Sequence, residues 1–221
     1  MFRLYNPKIE SSSSIESIFF AMLIQRSKVL TFLGFLLPIA LVYGTLYEFI
    51  LDNDEVFDKC PDMLDGKGIH DYFDLTNLSI VYREGRVFVS GSMTCKWEGV
   101  EPTDRITIRS ELLKFQQGGW QPTPISAYTD DFCAIQFAPT SIFFPVWSRH
   151  IIEWDRKCIN NYGHIYHYRP FALNTKYSFS QNMEGRHKIV VRSVAYDDTS
   201  NRKRPKEFCV QIFGDLVKVK Y

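Results

Sequence analysis

Residues 83–99 read REGRVFVSGSMTCKWEG, and their alternating side chains are the clearest sign of the fold class. From Val87 onward the side chains alternate with a period of two, which is the pattern of a β-strand with one buried face. The segment 83–86 is charged and contains a glycine, so we expect a turn there and a β-hairpin over residues 75–97. The side chains expected on the buried face are Val87, Val89, Met93, Cys95 and Trp97.

Strand patterns recur at short intervals towards the C-terminus. Residues 105–115 alternate, with a break near Ser110 that indicates a β-bulge. Residues 159–171 are interpreted as a loop and an edge strand that ends at Pro170. Further strands are predicted over residues 171–180, 186–196 and 207–219. The side chains expected to be buried in the strands at 105–115 and 171–180 are Ile106, Ile108, Leu112, Phe115, Phe171, Leu173, Tyr177 and Phe179.

This spacing, with one helical insertion and no alternation of strands with helices, predicts an all-β chain that forms an antiparallel β-sandwich. Residues 116–124, QQGGWQPTP, are interpreted as a loop that holds Trp120. Residues 197–206, DDTSNRKRPK, are interpreted as the connection between the last two strands. Its basic cluster is read as a solvated hairpin tip, with protease processing or binding of anionic headgroups as the alternative: Arg202, Lys203, Arg204 and Lys206.

The helical insertion lies between Cys133 and Cys158, in CAIQFAPTSIFFPVWSRHIIEWDRKC. Its apolar residues recur at helical spacing and would lie on one side of a short helix. We therefore expect an aromatic flap that closes the rim of the sandwich. The residues on its apolar side are Phe143, Phe144, Trp147, Ile151 and Trp154.

Residues 29–44, VLTFLGFLLPIALVYG, form an uncharged apolar run that follows Arg26 and Lys28 and precedes acidic residues. This charge asymmetry places the preceding segment 1–28 in the cytosol and the rest of the chain outside. The run is either a signal peptide or, extended to residue 51, a type II membrane anchor. A start at Met22 would give an ordinary signal peptide and make residues 1–21 an upstream extension.

We accordingly expect a lead-in over residues 45–59 and one domain over residues 60–221. Secretion implies an oxidising compartment, and the tripeptide Asn77-Leu78-Ser79 is a glycosylation sequon that fits it. The net charge of +1 argues against nucleic acid as a partner. A monomer is expected.

The chain has five cysteines. A bridge between Cys133 and Cys158 would close the flap and stabilise the fold by about 3.5 kcal/mol on a chain-entropy estimate. A bridge between Cys60 and Cys209 would tie together the two ends of the domain. Cys95 then remains as a free thiol on the inward face of its strand, where it acts as a small apolar side chain.

The motifs of common enzymes are missing from the sequence. It contains no phosphate loop, nucleophile elbow or set of zinc ligands, so we expect neither an enzyme nor a cofactor or metal site. His164 and His167 are placed in one strand, three residues apart, where they would face opposite sides and could not easily share a metal.

The segment from Phe73 to Cys133 resembles the insect chemosensory B-type family, and so does the run KCINNYGHIYHYRPF at 157–171. The signatures are VSGSMT followed by a tryptophan, EPTDRI, KFQQGGWQPT and DFC. These small secreted proteins are distantly similar to the ganglioside activator and to other ML-type lipid-recognition proteins. The C-terminal segment 185–216 is similar to the last hairpin of the activator, in which a cysteine opens the final strand.

The resemblance implies a β-cup sandwich with an apolar pocket between the sheets, and it agrees with both cysteine pairings. It also implies a carrier of a lipid, cuticular hydrocarbon or pheromone that acts with a chemosensory receptor. The alternative is an extracellular protein-interaction module without a ligand cavity. The residues predicted to line the pocket and its rim are Trp97, Phe115, Trp120, Phe143, Phe144, Trp147, Ile151 and Trp154.

Overall fold

The computed structural model describes residues 44–53, 55–63, 68–83 and 86–220. The predictions for the segment 1–28 and for nearly all of the apolar run 29–44 lie outside these ranges. Within the described ranges, no helix is both long enough and apolar enough to cross a membrane.

The chain is mostly β-structure, as predicted. In chain order the strands are β1 (Thr45–Leu51), β2 (Asp58–Lys59), β3 (Phe73–Asp74), β4 (Leu78–Arg83), β5 (Arg86–Cys95), β6 (Arg105–Gln116), β7 (Gly119–Thr129), β8 (Ile165–Leu173), β9 (Lys176–Phe179), β10 (Gly185–Tyr196) and β11 (Lys203–Lys218). The helices are short: α1 (Phe132–Ile135), α2 (Phe143–Val146) and the 3-10 helices Ile69–Asp71, Ser148–His150 and Glu153–Asp155.

The strands form two antiparallel sheets. The larger sheet has the order β7-β6-β10-β11-β1-β9, with β2 paired to β11. In the smaller sheet β5 pairs with β3, β4 and β8. The predicted hairpin is β4–β5, and its inward residues are buried as expected, with Trp97 and Cys95 fully enclosed. The fold class predicted from the alternating pattern is therefore confirmed.

The two sheets share one apolar core. From the larger sheet come Ile106, Ile108, Phe208 and Val210, and from the smaller sheet come Val87, Val89, Tyr166 and Phe171. We call the side of the larger sheet that carries these residues its inner face. Towards the other end of this face lies a second apolar cluster: Tyr47, Phe49, Leu112, Met183 and Leu216. The inner face thus runs continuously from one cluster to the other.

The domain begins earlier than predicted. Residues 45–51 are not a lead-in or part of an anchor but form β1, which lies between β11 and β9. The compact unit accordingly starts at Gly44 and not at Cys60. In β1, TLYEFIL, alternate residues are buried, among them Tyr47 and Phe49. The strand was not predicted because its apolar residues directly follow the apolar run 29–44.

The predictions for two proline-containing segments are also wrong, since both segments belong to strands. Residues 116–124 are not a loop, since β7 begins at Gly119 after a tight turn in which Gln117 and Gly118 have positive φ angles of 54° and 78°. Likewise β8 continues through Pro170 to Leu173. Both strands lie at sheet edges, where a residue without a backbone N–H is tolerated.

The basic cluster at 202–206 is not simply a solvated tip. The guanidinium of Arg204 donates two hydrogen bonds, of 2.9 and 2.7 Å, to the carboxylate of Asp104, whose side chain is 1% exposed. Lys206 is paired with Glu98 and Lys203 with Glu207. The cluster therefore fastens the start of β11 to the connection between β5 and β6.

Candidate functional site

Residues 133–158 form a segment that we call the strap. Its two ends are joined by the predicted disulfide Cys133–Cys158, and the disulfide Cys60–Cys209 is present as well. Two disulfides are typical of a chain that folds in an oxidising compartment. The strap consists of most of α1, then α2, two 3-10 helices and the turns between them.

The single amphipathic helix predicted for the strap is wrong. The helix α2 ends after Val146, and Ile151 adopts an extended conformation with ψ of 130°. Ile151 then forms an antiparallel bridge with Tyr168, and the amide of Ile152 donates to the carbonyl oxygen of His167 at 3.0 Å. The free backbone groups of the edge strand β8 thus compete successfully with continued helix.

Because the helix is broken, the five aromatic and aliphatic residues do not share one side. Ile151 is buried, and Phe143 and Trp147 are half-buried and pack against the shared core. Phe144 is half-buried. Trp154 is 78% exposed, so it does not lie on the same side of the strap as the buried Ile151.

Trp147 is the centre of an aromatic cluster beneath the strap. Its indole N–H donates to the hydroxyl of Tyr168 at 2.8 Å, and its ring centroid lies 5.1 Å from that of Tyr168 and 6.1 Å from that of Phe171. His150 stacks on Phe171 at 3.7 Å. Burial raises the pKa of Tyr168, so its hydroxyl stays neutral at physiological pH.

Asp155 fastens the other end of the strap to β8. Its carboxylate accepts hydrogen bonds from the Nδ1 atom of His167 at 2.7 Å and from the backbone amide of His167 at 3.0 Å. Its carbonyl oxygen lies 2.7 Å from the Nε2 atom of His164. Burial acts to raise the pKa of Asp155, but the bonds from His167 prevail and lower it.

The two histidines therefore do not turn away from each other as predicted. His164 precedes β8, outside the strand alternation, and both rings reach Asp155. Cys95 is the free cysteine of the described chain, and its thiol donates to the carbonyl oxygen of Ile159 at 3.1 Å. Burial raises the pKa of this thiol, in keeping with the predicted inert role.

The other three predicted pocket residues lie elsewhere. Trp97 is a fully buried core residue whose ring meets that of Tyr72 edge-on at 5.8 Å. Phe115 and Trp120 lie on the outer face of the larger sheet, where they form a cluster with Phe213. The amino group of Lys188 lies 4.8 Å above the ring of Trp120. Phe115 lies on the opposite face of β6 from Ile106 and Leu112, because it is an odd number of residues away from each of them.

A cleft of about 600 Å3 opens at the C-terminal base of the strap. Its walls come from residues 98–102 and from residues within 157–164, and they include Glu98, Glu101, Lys157 and His164. None of the eight residues predicted for an apolar pocket lines it. The cleft is thus suited to a polar group and not to a hydrocarbon chain.

Four buried side-chain atoms of the described chain have no hydrogen-bond partner. They are Oε1 of Gln136, Oγ of Ser148, Nε2 of His187 and Oγ of Ser193. Gln136 and Ser148 belong to the strap, whereas His187 and Ser193 lie on the inner face of β10. Sequence reasoning missed all four, because an unpaired polar atom leaves no trace in hydrophobic periodicity.

Neither a protein-family model nor a curated protein matches the chain. The resemblance to the chemosensory B-type family therefore stays a prediction, and the site must be interpreted from its own geometry.

Proposed function

We propose that the protein is a non-enzymatic, secreted carrier that holds a hydrophobic ligand between the strap and the inner face of the larger sheet. A lipid, a cuticular hydrocarbon or a pheromone belongs to the chemical class that such walls would accept, and chemosensation is the setting that the sequence resemblance suggests.

The observation that carries this proposal is the set of unpaired polar atoms around an otherwise apolar interior. Oε1 of Gln136, Oγ of Ser148 and Oγ of Ser193 are all buried without partners. Each such atom is unfavourable by about 1–3 kcal/mol, and native proteins rarely leave one unsatisfied. A ligand with an apolar body and a polar group would supply the missing partners.

The construction of the strap supports the same function. The strap is held by the disulfide, by the bridge between Ile151 and Tyr168 and by the contacts of Asp155, and not by a continuous ladder. Segments with few regular backbone hydrogen bonds open at low free energy. A covalently tied segment of this kind can move away from the core and return to the same place.

Lipid extraction and probe displacement test the carrier function directly. The full chain is expressed in a secreting eukaryotic host, and its organic extract is analysed by mass spectrometry. Displacement of a fluorescent fatty acid is then measured on the delipidated protein. We expect a co-purified apolar compound or a saturable, displaceable probe. A folded protein that shows neither overturns the proposal.

A pair of tryptophan variants tests the position of the site. Trp147 contacts the core beneath the strap, whereas Trp154 points to solvent. Trp147→Leu is expected to weaken probe binding about tenfold, because it removes apolar contact area worth roughly 1–2 kcal/mol. Trp154→Leu is the matched control and should change the affinity less than about twofold. Equal effects of the two variants would place the ligand elsewhere.

Exposed apolar residues favour a second candidate function, that of an extracellular protein-interaction module. Trp154 is 78% exposed, Tyr162 61% and Ile142 58%, and all three lie on or beside the strap. Tryptophan and tyrosine dominate the binding energy of many interfaces. Loss of receptor binding in Trp154→Ala, with lipid binding intact, would support this function; unchanged receptor binding would count against it.

We further propose that Asn77 carries an N-linked glycan. Asn77 is exposed in the turn between β3 and β4, and its backbone carbonyl oxygen accepts a hydrogen bond from the amide of Ser92 at 3.0 Å, which fixes the backbone of the turn. Treatment of the secreted protein with an N-glycosidase should lower its mass, and Asn77→Gln should abolish the shift. An unchanged mass would refute the assignment.

A further inference from the structure

We propose that His187 recognises the hydroxyl group of an elongated neutral alcohol, which enters the protein where Met183 closes the far end of the inner face. This inference rests on the proposed carrier function and names the ligand class of the same interior.

The hydrogen bonding of His187 defines what it can bind. The side chain is fully buried, and its Nδ1 atom lies 2.7 Å from the carbonyl oxygen of Gly185. A carbonyl oxygen only accepts, so Nδ1 must carry the proton. In a neutral ring Nε2 is then an acceptor with a free lone pair, and this atom has no partner. A ligand at this position must therefore donate a hydrogen bond.

The surroundings of His187 keep the ring neutral. Burial is the main reason that its pKa is lowered, and the charge of Lys114 acts in the same direction, opposed by Asp215 and by the bond to Gly185. An ionised fatty acid could only accept a hydrogen bond, so it would meet the lone pair of Nε2 unfavourably. A hydrocarbon would leave the atom unpaired. A neutral alcohol fits both the polarity and the charge of the site.

The register of the sheet places His187 beside the second apolar cluster. His187 lies opposite Gly214 of β11 and Lys114 of β6. Atoms of the Phe49 ring lie only 2.7 and 2.8 Å from the position that a Cβ of Gly214 would occupy, so the ring covers this glycine next to the histidine. On the same face Ser193 follows His187 at a distance of about 20 Å along β10. A ligand of that length with its hydroxyl at His187 would extend along β10 to the end of the inner face that the strap covers.

The loop 180–184 is the entrance that the geometry suggests. Its residues are exposed except for Met183, which is 2% exposed and fills the end of the cluster. Asn182 holds the loop to the inner face: its side-chain oxygen accepts from the hydroxyl of Tyr47 at 3.3 Å, and its carbonyl oxygen accepts from the amino group of Lys114 at 3.2 Å. A flexible methionine on a loop without ladder hydrogen bonds can withdraw at low free energy.

Competition against a fluorescent apolar probe tests the recognition. The delipidated full chain is titrated with 1-hexadecanol, hexadecyl methyl ether, hexadecane and sodium hexadecanoate. We expect the alcohol to bind about tenfold more tightly than the other three, the typical effect of one hydrogen bond gained by a buried polar atom. The ether matches the alcohol but lacks the donor, so this comparison needs no mutation.

Variants then assign the effect to the named residues. His187→Phe should bring the alcohol and the alkane within about twofold of each other, whereas His187→Gln, which retains an acceptor, should restore part of the preference. Met183→Ala should accelerate probe association, and Met63→Ala, a half-buried methionine on the outer face, should not. If His187→Phe retains the preference, or if the wild type binds all four compounds equally, the recognition is refuted. If the wild type binds none of the four compounds, the proposed carrier function itself is refuted.

Discussion

The packing of β1 against β11 requires a glycine at position 214. A Cβ at this position would lie 2.7 Å from the Phe49 ring and would also meet the carbonyl oxygen of Ile50. We predict that Gly214→Ala lowers the free energy of unfolding in urea by about 2 kcal/mol through overpacking. Gly119→Ala is the control, since its Cβ would meet nothing nearer than 3.8 Å and should change stability by less than about 0.5 kcal/mol. Equal losses in both variants would contradict this packing.

The carboxylate of Asp155 should make the stability of the protein depend on pH in the acid range. Its pKa is lowered in the folded state, mainly by the hydrogen bonds from His167 that outweigh burial. The carboxylate therefore contributes stability above its unfolded pKa of about 3.9, and this contribution is lost as the pH falls through the lower folded pKa. Thermal melts from pH 6 to pH 2.5 should show a steeper loss of stability below pH 4 in the wild type than in Asp155→Asn. Parallel curves would show that the carboxylate is not stabilised by the fold.

The strap depends on its covalent closure. The disulfide joins residues separated by 25 positions, so its removal should lower the free energy of unfolding by about 3.5 kcal/mol. In the double variant Cys133→Ser, Cys158→Ser we also expect amide exchange to accelerate within residues 134–157 more than in β10. Cys95→Ala is the control and should leave the exchange of the strap unchanged. Uniform acceleration across the sheets would show that the strap is not a separate unit.

The elements that the sequence predicts correctly are those in which one face is buried and the period is two. The alternation from Val87 to Trp97 depends only on local pattern, and it identifies β5 and its hairpin. The same reasoning missed β7, because a segment with Pro122 and Pro124 has the composition of a loop. The prolines are tolerated because β7 is an edge strand, which the local sequence does not show. It failed for the strap because Ile151 pairs with β8, a partner distant in sequence. The unpaired Nε2 of His187 arises only from the assembled sheets.

The inner face of the larger sheet connects the features on which the proposed function depends. One end is covered by the strap and the smaller sheet, and the other by Met183 and Phe49. Ser193 lies towards the first end and His187 towards the second, on the same face of β10. The protein is thus organised as an apolar face with the strap over one end, the loop 180–184 at the other, and the unpaired side chains of Ser193 and His187 between them.

Native mass spectrometry of the secreted, unextracted protein shows whether a ligand occupies this interior. We expect a bound species that raises the mass by a discrete increment, with one ligand per chain, and that is lost after delipidation. Re-addition of a long-chain alcohol should restore a one-to-one complex. A folded protein that has the mass of the bare or glycosylated chain, and that takes up no apolar compound, would show that the interior holds no ligand.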